Sequence, residues 1–166
     1  VITLRPLTTS DIDTVVGINN EGHPGVPLAT AADMGELLAV ASVTLGAVDD
    51  EGHLVGFLIA VDPGQPYESE NYAFFESRFD NHLYVDRIVL SESSRGLGVG
   101  SALYERVSEV AGDAGRDCIT CEVNLEPPNP GSLRFHHRLG FVNVDTQSTK
   151  GGSVVVQLLQ MPLPRS

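Results

Sequence analysis

The residues with the most pronounced chemical character are Arg95-Gly96-Leu97-Gly98-Val99-Gly100-Ser101. They fall between a run that reads as a strand (82–90) and one that reads as a helix (99–112). Glycines at alternate positions let the backbone turn tightly and come close to a ligand. The helix beyond them would present unpaired N–H groups and a partial positive charge at its start. Arg95 adds a formal charge, and the combination suits a phosphate or pyrophosphate. From the loop alone three readings stand. A P-loop would close on Gly-Lys-Ser/Thr, and Gly100-Ser101 has no lysine. A dinucleotide fingerprint would start almost directly after its strand in a parallel sheet. Here residues 91–94 intervene, although Glu122, at the end of the next strand, could serve as the ribose-binding acid. The third reading is a plain flexible loop.

The elements around this loop follow from periodicity and punctuation. Residues 2–5 read as a first strand. Ser10, with Asp13 three residues on, reads as the capping box of a helix whose apolar face is Ile12, Val15, Val16 and Ile18. Asn19-Asn20-Glu21-Gly22-His23-Pro24-Gly25 breaks that helix. Thr30 with Asp33 caps a second, striped by Met34, Leu37, Leu38 and Ala41. Residues 43–48 and 54–61 flank Asp49-Asp50-Glu51-Gly52 as a hairpin. A structureless connection over 62–80 would be unusually long, so a short helix capped by Ser69 is expected there. Its face would be Tyr72, Phe75 and Phe79. Five of the ten aromatic residues lie in this stretch, which leaves three placements open: a cover over a substrate, core, or a dimer contact. Further on come strands at 82–90 and 118–123 and a helix at 99–112 with Leu103, Val107, Val110 and Ala111 inward. A helix then opens on Asn129 and Pro130 and stops at Gly140, followed by strands at 141–146 and 154–161. The order is β-α-α-β-β-β-α-β-α-β-β, a mixed α/β sheet. It opens antiparallel, and a helical crossover joins strand 82–90 to strand 118–123 as one parallel pair.

Composition limits the partners. The chain has 166 residues, 42% of them apolar and 19% charged, as expected of one folded domain over 1–166. Mean hydropathy is +0.03. The net charge of -12 argues against a general nucleic-acid binder and against docking on an anionic membrane. The charge is uneven: residues 1–80 carry 13 acids against Arg5 and Arg78, while residues 81–166 are nearly neutral. The first half repels anions and the second tolerates one. Two cysteines are too few for a disulfide scaffold. No run suggests a membrane span or signal peptide, so a cytoplasmic location is expected. Cys118-Ile119-Thr120-Cys121 spells a redox motif, but on a strand positions i and i+3 face opposite sides. The histidines and cysteines show no metal-ligand spacing.

With these elements in place, the chain resembles the GNAT superfamily of acyl-CoA-dependent N-acetyltransferases. Arg95-Gly96-Leu97-Gly98-Val99-Gly100 fits the superfamily's Arg/Gln-x-x-Gly-x-Gly/Ala between strand and helix. A second motif fits at Asn129-Pro130-Gly131-Ser132 and Phe135-His136-His137-Arg138-Leu139-Gly140-Phe141. Leu83–Leu90 is similar to a bacterial branch. The resemblance implies a mixed, mostly antiparallel twisted sheet, helices on both faces, with one parallel pair splayed around the cofactor. It implies that acetyl-CoA is the acyl donor and a primary amine the acceptor. Backbone groups of Ile88, Val89 and Leu90 would pair with the pantetheine arm, and one N–H would stabilise the oxyanion. Amides of Arg95, Gly96, Leu97, Gly98, Val99, Gly100 and Ser101 would hold the pyrophosphate. Asn129 and Ser132 would contact the arm. The superfamily commonly places a tyrosine as general acid where this chain has His136, which shares a helix stripe with Ser132, Phe135 and Leu139 while His137 turns away. His136 is thus a proton donor or a packing residue.

An amine with a pKa of about 10.4 is almost wholly protonated at neutral pH, so attack needs a proton acceptor. Tyr84, Asp86, Ile88 and Leu90 share a strand face, and Glu122 lies on the neighbouring strand. Asp86 and Glu122 are the candidate bases; structural alternatives are pairing with a nearby arginine for Asp86 and bridging for Glu122. In the superfamily the N-terminal helices and the loop before the central strand wall the acceptor site. The acidic first half would then favour a small cationic acceptor, whose identity is open; solubility alone would also account for the charge. A catalytically silent acyl-CoA-binding sensor or interaction module is the alternative function.

Overall fold

The computed structural model describes residues 1–164. Its strands are β1 (Thr3–Arg5), β2 (Val43–Val48), β3 (Leu54–Val61), β4 (His82–Leu90), β5 (Cys118–Glu126), β6 (Val142–Thr149) and β7 (Val154–Pro162). Its α-helices are α1 (Ile12–Glu21), α2 (Ala31–Val40), α3 (Glu70–Arg78), α4 (Val99–Asp113) and α5 (Pro130–Leu139). Strand order is β1-β2-β3-β4-β5-β7-β6. The β1–β2, β2–β3, β5–β7 and β6–β7 ladders are antiparallel. The β4–β5 ladder is parallel, with rungs His82↔Cys118, Leu83↔Ile119 and Tyr84↔Thr120. This is the mixed sheet with one parallel pair that the element order implies. Among the described residues no helix is long and apolar enough to cross a membrane.

The chain forms two compact units. One comprises Val1–Val61 and Arg87–Val107; the other comprises Asp62–Asp86 and the chain from Ser108 onward. β4 and α4 each contribute residues to both.

In the first unit β3 is the core strand. Phe57, Leu58, Ile59, Ala60 and Val61 are all fully buried, which fits a near-continuous apolar run covered on both faces. Each such large side chain contributes about 1.5–3 kcal/mol by leaving water. Val15 and Ile18 of α1 and Met34 and Leu37 of α2 are buried. The expected box at the start of α2 is present: Thr30 Oγ1 accepts from the Asp33 N–H at 3.1 Å, and the Asp33 carboxylate accepts from the Thr30 N–H at 3.0 Å. The expected box ahead of α1 is displaced. Asp11, not Asp13, turns back, accepting from the Thr8 N–H at 2.8 Å, and a 3₁₀ turn over Thr9–Asp11 leads into the helix.

In the second unit Ser69 caps α3 as expected, its hydroxyl accepting from the Tyr72 N–H at 3.2 Å. Tyr72 and Phe75 are buried, so this part of the aromatic stretch is core. Phe79 ends the helix as its C-cap instead of lying on its face. α5 opens on Asn129 with Pro130 in its first turn and stops at Gly140 with φ 111°. β5 runs on to Glu126, so Glu122 lies within the strand and not at its end. Cys118 and Cys121 are free thiols buried in β5; burial raises the Cys118 pKa and keeps it an inert thiol. On α4, Leu103, Tyr104, Val107 and Ala111 are buried, whereas Val110 is exposed; Tyr104 takes the inward position.

Candidate active site

In the first unit the turn after β4 is fastened to β3 through one carbonyl. Val55 O accepts from the Ser91 N–H at 2.9 Å and from the Ser94 hydroxyl at 2.9 Å. Ser94 is buried and also bonds the Ser91 carbonyl. Sequence reading passed over Ser94, because a serine in a Ser/Gly-rich turn carries no periodic signal. Beyond it the chain is exposed from Arg95 to Gly98 and buried again at Val99 and Gly100. Gly96 and Gly98 adopt positive φ, +80° and +79°, with nothing within 4 Å of where a Cβ would stand. The turn therefore needs glycine for its conformation, and both positions open on free space. α4 begins at Val99, so the amides of Val99, Gly100 and Ser101 are first-turn groups without an intrahelical partner. The helix start presents these N–H donors, the Arg95 charge and the positive end of α4, while the Arg95 and Leu97 amides bond Glu92 O and Ser94 O within the turn.

Gly56 sets the approach of neighbouring segments. A Cβ there would stand 2.9 Å from Leu90 Cδ2, 3.2 Å from Val89 O and 3.4 Å from Val99 Cγ1. Only glycine on β3 lets the last residues of β4 and the first of α4 pack this closely. Ile88, Val89 and Leu90 are thus held firmly, with Val89 buried and its neighbours half-buried. Arg87 donates to Asn19 Oδ1 at 3.0 Å, and Asn19 Nδ2 donates to Pro27 O at 2.9 Å. Buried Asn19 thereby ties the segment after α1 to β4.

In the second unit the candidate carboxylates each meet a phenol. Tyr67, from the segment between β3 and α3, donates to Asp86 Oδ1. Tyr84 donates to Glu122 Oε1 at 2.6 Å. Tyr84 is buried, and desolvation, reinforced by the charges of Glu122 and Asp86, pushes its pKa well above the ordinary value. It is therefore a neutral donor. Tyr84 packs on Tyr72 at 5.5 Å and Phe75 at 5.8 Å between ring centroids. Fully buried His82 bonds Thr120 Oγ1 through Nδ1 at 2.8 Å and Glu76 Oε1 through Nε2 at 2.7 Å. Sequence reading picked out Asp86 and Glu122 by strand alternation. It did not find their phenol partners, or Glu76 for His82, because these contacts join residues apart in sequence.

On α5 the side chains of Ser132 and His136 are one turn apart, as their spacing implies. His136 is buried, with Nδ1 2.8 Å from the Ser132 carbonyl, and its ring lies 5.3 Å from those of Phe135 and Phe141. Desolvation lowers its pKa. His137 is exposed and bonds Asn143 Oδ1, so the assignment of inward and outward histidine holds. The Asn129 side chain makes no capping bond at the α5 start. Among the described residues no group of His, Cys, Asp and Glu could hold a metal ion.

The first unit offers helix-start amides beside an arginine and firmly held strand backbone, and the second offers two carboxylates on β4 and β5. No curated protein sequence matches the chain. Its fold is that of Ard1 from Thermoplasma volcanium, at 18% identity, TM-score 0.80 and 99% coverage of both chains. Another similar structure is the ribosomal-protein-S18-alanine N-acetyltransferase from Escherichia coli, at 14% identity and TM-score 0.75, covering 100% of this chain and 96% of that one. A GNAT superfamily phosphinothricin acetyltransferase from Sinorhizobium meliloti, solved with acetyl-CoA, matches at 20% identity and TM-score 0.74, covering 98% and 88%. The acetyltransferase (GNAT) family profile matches residues 15–141, and with motifs, sheet order and profile in agreement, the chain belongs to that family.

Proposed function

We infer that this protein moves an acetyl group from acetyl-CoA to the primary amine of a small cationic acceptor by direct attack. The observation that carries the reading is the turn at Gly96 and Gly98, whose positive φ and open Cβ space leave room for a pyrophosphate against the amides that lead into α4. Acetyl-CoA, when bound, supplies an activated thioester.

In the first unit, the amides of Gly96, Gly98, Val99, Gly100 and Ser101 hold the pyrophosphate, while those of Arg95 and Leu97 are taken by the carbonyls of Glu92 and Ser94 within the turn. Backbone groups of Ile88, Val89 and Leu90 pair with the pantetheine arm, and one of their N–H groups faces the developing oxyanion. In the second unit, Asn129 and Ser132 contact the arm. Asp86 and Glu122 are the carboxylates available to take a proton from the acceptor ammonium. The amine nitrogen then bonds the acetyl carbon, the carbon–sulfur bond breaks, and the second nitrogen proton, shed as the amide forms, passes to the sulfur. His136 does not fit as the donor of that proton. Its Nδ1–H is committed to a carbonyl, its buried ring is neutral, and its Nε2 is then an acceptor. Water relays that proton, and His136 shapes the wall.

The test pairs calorimetry with a thiol-release assay over a panel of diamines, polyamines and amino acids. Binding of acetyl-CoA with release of free thiol on adding a cationic amine is expected. No binding of either acetyl-CoA or CoA would overturn the reading. Tight CoA binding with no thiol release across the panel would replace it with a silent acyl-CoA sensor.

A further inference from the structure

Asp86 is accompanied by three titratable groups that come from different elements. Tyr67 reaches it from the β3–α3 segment, Tyr84 lies on its own strand, and Glu122 lies on β5 within reach of Tyr84. Both carboxylates and the Tyr67 hydroxyl influence Tyr84 electrostatically, so the four groups form one cluster. Two carboxylates in one partly buried cluster need hydrogen-bond donors to hold them in place. Here each has a phenol donor.

The segment bearing Tyr67 is fastened for this purpose. Gly64 N–H donates to Glu76 Oε2 at 2.8 Å and Gln65 N–H to the Tyr72 hydroxyl at 3.1 Å. Tyr72 donates to the Asp62 carbonyl. Glu76 is itself held by buried His82. The Tyr67 ring stacks edge-on to Tyr72 at 5.5 Å. A hydroxyl supported by so many contacts delivers a directed hydrogen bond, not a chance surface contact.

We propose that Tyr67 is a positioning residue: its O–H, donated to Asp86 Oδ1, holds that carboxylate oriented to take a proton from the acceptor ammonium. Tyr84 orients Glu122 in the same way. In the step itself a proton passes from R–NH₃⁺ to Asp86, and the freed amine attacks the thioester. This rests on the acetyl-transfer reading above.

The test is kcat and KM for the best amine found in the panel, in wild type and Tyr67→Phe. Without the donor the carboxylate loses its fixed orientation, so kcat should fall about tenfold while KM for the amine stays nearly unchanged. CoA affinity by calorimetry should be unchanged. Phenylalanine keeps the ring against Tyr72, so folding is preserved. In an Asp86→Asn background, which itself loses most of kcat, adding Tyr67→Phe should cost nothing more. If Tyr67→Phe keeps the wild-type kcat, or if its loss adds in full to that of Asp86→Asn, the positioning role falls and acetyl transfer stands. If the wild type itself releases no thiol with any amine, it is the acetyl-transfer reading that falls.

Discussion

His136 carries its proton on Nδ1, because that nitrogen lies 2.8 Å from the Ser132 carbonyl, which can only accept. Burial lowers its pKa below the unfolded value of about 6.5. The unfolded chain therefore binds more protons than the folded one as pH drops through this range. Stability from this group is full above about pH 6.5 and is lost as pH falls through the folded pKa. His136→Phe should remove that part of the acid sensitivity, seen by comparing Tm at pH 7.5 and pH 5.5, and should keep kcat within about threefold. A larger kcat loss with unchanged CoA affinity would restore the acid role. Gly98 tests the anion loop at the same scale. Its φ of +79° strains any side chain, and the open space around it is where a glutamate carboxylate would oppose a phosphate. Gly98→Glu should weaken CoA binding at least about tenfold by calorimetry, a cost of about 1.4 kcal/mol. Unchanged affinity in the folded variant would remove the loop from the binding site. Both arguments start from spacing legible in the sequence: the glycine pattern, and the helix stripe that turns His136 inward. The protonation of His136 was not legible, since it depends on which carbonyl its ring meets.

At the level of elements, the start of α1 shows what local sequence cannot decide. Thr8-x-x-Asp11 and Ser10-x-x-Asp13 both spell a capping box. Arg5 selects the first, gripping Asp11 through Nη1 at 2.8 Å and Nη2 at 2.9 Å. With this partner and the Thr8 N–H, the Asp11 pKa falls from the usual 3.8 to about 2. The contribution is present above about pH 4 and is lost as pH falls toward 2. Arg5 is half exposed, so solvent screening leaves about 1 kcal/mol. Asp11→Asn should lower the unfolding free energy from urea titration at pH 7 by that amount, with a lower midpoint and unchanged slope, and flatten the acid dependence between about pH 4 and pH 2; an unshifted midpoint would make the pair a surface ornament. Elements whose ends are set by neighbours in sequence were readable in advance: the Thr30 box, the Ser69 cap, Gly140 after α5. So was the single parallel pair, which follows from one helical crossover. What lay beyond reach were contacts across the fold. Val110 falls at the edge of the α4 stripe, and Tyr104, next to Leu103, completes the buried face with Val107 and Ala111. Tyr67 reached Asp86 because the segment before α3 is shaped by Glu76 and Tyr72, and no period in the sequence marks that.

For the whole molecule the informative quantity is charge. The net of -12 argues against partners that need a basic surface, but its distribution says more. Asp13 and Glu21 on α1, Asp33 and Glu36 on α2, and Asp50 and Glu51 in the hairpin turn are all exposed. They stand in a segment where Arg5 is the only lysine or arginine before Arg78. Exposed charges act at a distance set by salt: the screening length falls from about 30 Å at 0.01 M to about 10 Å at 0.1 M. A cationic acceptor drawn by this field should lose affinity as salt rises, whereas acetyl-CoA, held by amides and Arg95 at close range, should lose much less. Between about 20 mM and 300 mM salt, KM for a diamine should rise several-fold, with kcat and the KM for acetyl-CoA nearly constant. A neutral or zwitterionic amine of similar size should show little change. If the diamine KM is insensitive to salt, the acidic surface serves solubility alone, and the acceptor is selected by shape within the site and not by the charge that surrounds it.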